Sequence, residues 1–317
     1  MSCTPVWGAS GVQGFFGEGY PYHGLLKLLF PGKFSFKNVT LVSKTTTLKL
    51  RKGNMPLRKD GITPKKLLPK CITVRPFKGV ALNAVGLSGP GAQTLFDDGR
   101  WQNYEEPLFI SFMSVESDPE IRFAELEEFL TLFARYQYSF KKTPGIQINL
   151  SCPNVGLKPE KLVSEARRGL DKVALLVSRR IPTVLKFNAL LPIEAAREIE
   201  SHGRCDGLCM SNTIPWGMLP EQIDWQGLFG SNTSPLEKFG GGGLSGTPLL
   251  PIVRNWVEKA RNSGITKHIN AGGGILCGED ARELFSAGAS SIFIGSVVML
   301  RPWRLQQIVR TALLAAP

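Results

Sequence analysis

Asn149-Leu150-Ser151-Cys152-Pro153-Asn154 follows the apolar run Ile146-Gln147-Ile148 and precedes two structure-breaking residues, Gly156 and Pro159. The apolar run reads as a short buried strand. Its continuation, rich in amides with a hydroxyl and a thiol, is the polar cluster that an α/β barrel presents at the C-terminal ends of its strands, where such barrels keep their chemistry. The same grammar repeats outward in both directions. Apolar, β-branched-rich runs at 5–9, 40–44, 108–112, 145–150, 183–187, 207–211, 267–271 and 291–294 alternate with amphipathic patterns such as 121–136, 161–179, 193–202, 249–262 and 279–287. Repeated strand–helix units of this kind predict a parallel sheet. Eight of them predict an α/β fold, a (β/α)8 TIM barrel, with residues 1–317 as one domain.

Two connections exceed simple turns. Residues 45–106 form an excursion above the barrel mouth, and 213–266 carry a long loop that is rich in Ser, Asn and Gly from Ser231 to Gly246. Long loops over an active face commonly serve as lids or binding loops.

Composition narrows the class. With 43% hydrophobic residues over 317 positions, the chain can bury a large core. No apolar run reaches 18 residues, so no transmembrane segment is expected, and the stretch from Met1 to Val6 lacks the basic-then-apolar pattern of a signal peptide. Six scattered cysteines without a CxxC pair argue against disulfides, zinc or an iron–sulfur cluster, so the expected compartment is reducing and cytoplasmic, with no metal. Cys205 and Cys209 are expected on one face of a single strand, both buried.

The net charge of +12 is uneven: between Lys44 and Lys78 eleven Lys or Arg face one acid, Asp60. This segment fits a solvated basic excursion, steering of an anionic substrate, or contact with an acidic partner or surface. Its only aromatic residue is Phe77, too few for a single-strand stacking platform, and no nucleic-acid partner is expected.

Two glycine-rich segments point to a phosphate-bearing ligand. Asn270-Ala271-Gly272-Gly273-Gly274-Ile275 follows the seventh strand, and Ile292-Phe293-Ile294-Gly295-Ser296 ends the eighth. Glycines there let backbone N–H groups approach a phosphate, in the place where barrels bind one. Gly242-Gly243-Leu244-Ser245-Gly246 adds a third candidate edge, and no GxGxxG dinucleotide fingerprint is present.

The hexapeptide at 149–154 resembles the signature of the dihydroorotate dehydrogenase family in its cysteine-base (class 1) form. The match continues in order through Ala9-Ser10-Gly11, Lys44-Thr45-Thr46-Thr47, Arg51-Lys52-Gly53-Asn54-Met55-Pro56-Leu57-Arg58 and Leu82-Asn83-Ala84-Val85-Gly86-Leu87. Lys186, Asn212-Thr213 and the glycine segments complete it. The resemblance implies FMN as cofactor, held by Ser10, Lys44, Thr45, Asn149, Lys186, Gly246, Gly273, Gly274, Gly295 and Ser296. It implies a dihydroorotate or orotate site made by Lys44, Asn83, Ala84, Val85, Gly86, Leu87, Asn149, Asn154, Asn212 and Thr213, and Cys152 as the base. The activity implied is oxidation of dihydroorotate to orotate in pyrimidine biosynthesis.

The residue types suit that chemistry on independent grounds. Pyrimidine rings alternate N–H donors and C=O acceptors, which carboxamides match with one of each. A ring carboxylate wants a cation and backbone N–H groups, as Lys44 and the turn at 85–87 supply. A thiolate accepts a proton near neutral pH when nearby cations lower its pKa.

Departures from the family pattern also appear. Only eight residues precede Ala9, where the family has a hairpin closing the barrel floor, so the floor is expected to be closed differently. Within the class, the electron acceptor is fumarate for a homodimer, or NAD through a partner electron-transfer subunit. The segments at 82–87 and 242–246 resemble the NAD-linked form and Ser111 the fumarate form. Rival readings are an FMN oxidoreductase for another dihydropyrimidine such as dihydrouracil, or a non-catalytic basic barrel acting as a scaffold.

Overall fold

The computed structural model describes residues 3–150 and 159–317. Eight parallel strands form the barrel: β1 (Val6–Gly8), β2 (Leu41–Val42), β3 (Leu108–Phe112), β4 (Gly145–Asn149), β5 (Thr183–Asn188), β6 (Gly207–Asn212), β7 (His268–Ala271) and β8 (Ser291–Ile294). Each falls on one of the eight runs read from the sequence. Seven neighbouring pairs are laddered in parallel, and a parallel bridge between Trp7 and Thr40 joins β1 to β2 and closes the ring. The main outer helices are α1 (Pro21–Leu29), α2 (Ala92–Asp97), α3 (Pro119–Tyr136), α4 (Pro159–Leu176), α5 (Ile193–Glu200), α6 (Leu249–Asn262), α7 (Gly278–Ser286) and α8 (Leu305–Ala315).

Strand alternation sorts the core into two layers. Val6, Leu41, Ile110, Ile146, Leu185, Leu208 and Ile292 pack outward in the main hydrophobic cluster with the helices. Trp7, Val42, Phe109, Val184, Cys209 and Phe293 form a separate cluster, the filling of the barrel. Cys205 joins the outer cluster and Cys209 the inner one. The expectation that both share a face is thus corrected: Cys205 precedes the strand, where the period of two does not apply.

The interior is plugged by the strands' own aromatic side chains. Trp7 is fully buried and stacks on Phe109 at 4.4 Å and on His268 at 5.6 Å. Its indole N–H donates to Thr4 O at 3.0 Å, and Cys3 packs against the cluster. Burial pulls the His268 pKa down to about 4, which keeps this ring neutral in its apolar stack. Room for Phe109 comes from Gly145, the first residue of β4, where a Cβ would lie 2.2 Å from a ring carbon of Phe109.

The two excursions meet over the mouth. Strands Ile72–Arg75, Val80–Asn83, Gly243–Gly246 and Ile214–Pro215 form one antiparallel sheet, with Leu82 opposite Leu244 and Asn83 opposite Gly243. One face buries Val80, Leu82, Ile214 and Leu244 against Trp225, Phe229 and Leu236. The other turns Ile72, Val74, Asn83 and Ser245 toward the cavity described below.

Because the Phe109 ring occupies the position of any Cβ at residue 145, Gly145→Ala is expected to destabilise the fold by about 1–3 kcal/mol, the usual cost of overpacking. Equilibrium urea unfolding measures it, and adding Phe109→Leu should recover part of the loss. A Gly145→Ala protein as stable as the wild type would show that the aromatic plug does not constrain the barrel.

Candidate active site

A cavity of about 630 Å³, within the usual range for ligand clefts, lies between the C-terminal ends of the strands and the excursion sheet. Ser10, Lys44, Thr45, Asn149, Lys186, Gly273, Gly274, Gly295 and Ser296 line it, as do Asn83, Val85, Leu87, Asn212 and Thr213. Residues from the ends of seven barrel strands, all but β3, therefore line one cavity. Ala84, Gly86 and Gly246 are not among the lining residues. Gly246 stands one layer back, with its carbonyl 2.8 Å from where a Cβ of Gly274 would sit. Cys152 and Asn154 lie outside the described residues.

Lys44 follows β2 and is buried, only 6% exposed. Its ammonium donates to Ser88 O and sits 5.0 Å from the Phe15 ring centroid. Burial pushes its pKa down to about 8, partly opposed by Glu18 and Cys71. Lys186, near the end of β5, is equally buried, with its ammonium 5.6 Å from the Phe293 ring centroid. Burial lowers its pKa too, against a smaller opposing effect of Cys209. Two buried lysines thus line one cleft, an anion-attracting arrangement.

The amides lie between them. Asn149 stands beside Lys186 in the β4–β5 register, and Asn212 donates from Nδ2 to Asn149 Oδ1 at 3.4 Å. The Asn212 side chain is oriented from the other end by Thr213, whose N–H donates to Asn212 Oδ1 at 2.9 Å. On the far wall the Ser10 hydroxyl donates to Ser43 O at 2.9 Å and is 2.7 Å from Thr45 Oγ1, which is 2.9 Å from Ser111 Oγ. Ser111 in turn donates to Gln147 Oε1 at 3.2 Å inside the barrel.

The glycine end has the character of a phosphate cradle. Among the described residues, the backbone N–H groups of Gly273, Gly274 and Ser296 donate to no protein acceptor, and all three residues line the cavity. Unpaired N–H groups on adjoining loops suit an anionic oxygen-rich group. Gly274 has φ +82°, which an L side chain rarely adopts.

Sequence reading missed the apolar wall. Tyr20, Tyr22 and Leu26, around the start of α1, line the cavity together with Leu67, Leu68, Ile72 and Val74 of the first excursion. The signal available was the alternation of Ile72 and Val74; the two leucines lie hidden in a segment read for its charge. Lys66 of that basic segment also lines the opening. Among the described residues, no helix is long and apolar enough to cross a membrane.

Fold and site together define a (β/α)8-barrel enzyme with a cationic, amide-rich mouth and a glycine-lined end. The family model described as dihydroorotate dehydrogenase matches residues 3–313, and the chain belongs to that family, an oxidoreductase family. Within it the chain falls in class 1, the branch of the curated relatives that follow. It is 28% identical over 310 residues to the dihydroorotate dehydrogenase B (NAD(+)) catalytic subunit of Geobacillus sp., covering 96% of this chain and 85% of that one. It is also 28% identical over 304 residues to dihydroorotate dehydrogenase A (fumarate) of Lacticaseibacillus paracasei, covering 92% of this chain and 87% of the relative. A crystal structure of DHODH from Eimeria tenella in complex with ferulenol superposes with a TM-score of 0.66 at 19% identity, over 97% of this chain and 80% of that one, a likeness of fold.

The depressed pKa of Lys44 sets a pH dependence. Its ammonium predominates below about 8 and is lost above it. Affinity for a carboxylate ligand should be full below pH 8 and fall as pH rises through that value. Calorimetric titrations at pH 7 and pH 9.5 check this, and Lys44→Ala should flatten the profile.

Proposed function

We propose that this chain oxidises dihydroorotate to orotate with FMN in the barrel mouth, in the service of pyrimidine biosynthesis. The observation that carries the reading is the convergence of Lys44, Asn149, Lys186 and Asn212 on a single cavity that ends in backbone N–H groups unpaired among the described residues. FMN, when bound, supplies the ring that accepts a hydride from C6 of the substrate.

Gly273, Gly274, Gly295 and Ser296 hold the FMN phosphate by their backbone, with Gly246 supporting Gly274 from behind. Ser10, Thr45 and Asn149 would hold the flavin ring, and the Lys186 ammonium would favour negative charge there. Asn83, Asn149, Asn212 and Thr213, joined by Asn154, match the donors and acceptors of the pyrimidine. Lys44 and the turn Ala84, Val85, Gly86 and Leu87 bind its carboxylate. Cys152, three residues beyond the end of β4 in the sequence, removes the C5 proton, which a thiolate can accept near neutral pH when cations lower its pKa.

Protein released from its cofactor by denaturation should yield FMN. Cys152→Ala should keep FMN and orotate binding while flavin bleaching by dihydroorotate slows about 10²–10⁴-fold, the usual cost of removing a general base. Bleaching at the wild-type rate would leave Cys152 without the proposed role. The carboxylate contact contributes about 1.5–3 kcal/mol, so orotate should bind at least about tenfold more tightly than uracil. Equal affinities would transfer the assignment to a dihydropyrimidine without a carboxylate.

A further inference from the structure

The turn after the strand Val80–Asn83 is held by a short strap, residues 51–55. Asn54 grips it twice, its backbone N–H donating to Val85 O at 2.8 Å and its side-chain Nδ2 donating to Ala84 O at 2.8 Å. Arg51 Nε donates to Gly86 O at 2.9 Å, and the Met55 N–H donates to Ser88 Oγ at 3.1 Å. Three successive carbonyls of the turn are therefore engaged from the strap side. In a planar trans peptide the N–H points opposite to the C=O of the same unit. The N–H groups of Val85, Gly86 and Leu87 are thereby directed away from the strap, and among the described residues they donate to no acceptor.

Two backbone features fit this grip. Leu87 has φ 56°, the left-handed region that a branched side chain rarely occupies unless its surroundings enforce it. Gly53 has φ +53°, and a Cβ there would lie 2.3 Å from Ser88 Oγ and 2.8 Å from Gly86 O. At the end of the turn Ser88 O receives the Lys44 ammonium. One strap thus fixes both the unpaired N–H groups and the cation's anchor.

We infer that Asn54 is a positioning residue for carboxylate recognition: by holding the carbonyls of Ala84 and Val85 it keeps the turn's N–H groups and the Lys44 ammonium converged on one anionic group. The inference rests on the dihydroorotate reading of the site and deepens it. Asn54 itself is not assigned a contact with substrate; its effect is on selectivity for a ring that bears a carboxylate.

The test compares dissociation constants of orotate and uracil in FMN-loaded protein. Asn54→Ala should reduce the preference for orotate about tenfold while uracil affinity and FMN content stay at wild-type levels. Asn54→Asp should behave like Asn54→Ala, because a carboxylate cannot donate to Ala84 O. Gly53→Ala, which displaces Ser88 and Gly86 without touching Asn54, should lower the same preference and serves if Asn54→Ala does not fold. An unchanged preference in a folded, FMN-containing Asn54 variant overturns the inference, as does an equal weakening of orotate and uracil. A wild-type protein with no preference for orotate sinks the dihydroorotate reading and this inference together; a wild-type preference that survives the substitutions sinks only the inference.

Discussion

The pairing of Val80–Asn83 with Gly243–Gly246 is the constraint on which the site depends. It joins two excursions separated by about half the chain and so converts an open barrel mouth into a cavity. Antiparallel pairing of register Leu82 to Leu244 puts both leucines, with Val80 and Ile214, on the side that packs against Trp225 and Phe229. The period of two then dictates that Asn83 and Ser245 face the barrel. A one-residue slip would reverse both faces at once, burying an amide and presenting leucines to the ligand.

Beneath that roof, the barrel's filling decides where charge can stand. Trp7, Phe109 and Phe293 occupy the interior, so Lys186 rests over an aromatic ring in place of water. Lys44 is likewise held beside Phe15, its ammonium donating to Ser88 O. Both ammonium groups lose solvation on burial, which lowers their pKa values more than the acidic groups around them raise them. Such a pair is costly in an empty fold and favourable once an anion arrives, the usual relation between a binding site and the stability of the protein that carries it.

The chain's own sequence determined the barrel. All eight strands are readable from apolar runs, and α6, predicted at 249–262, spans those residues, because burial on both faces forces continuous apolar stretches and the amphipathic helices between them keep the helical period. The strand-end residues Lys44, Asn149, Lys186 and Asn212 were legible for the same reason: a polar side chain closing an apolar run has one place to go in this fold, the mouth. The sheet that covers the mouth was not legible. Its central pair, Val80–Asn83 and Gly243–Gly246, lies some 160 residues apart, none of its strands exceeds four residues, and no local pattern states which short strand meets which. Tertiary structure alone also separated Cys205 from Cys209, set Gly246 behind Gly274, and revealed the apolar wall of Tyr20, Tyr22, Leu67 and Leu68. Local periodicity records which face of an element is buried; which distant element it is buried against depends on packing of the whole chain.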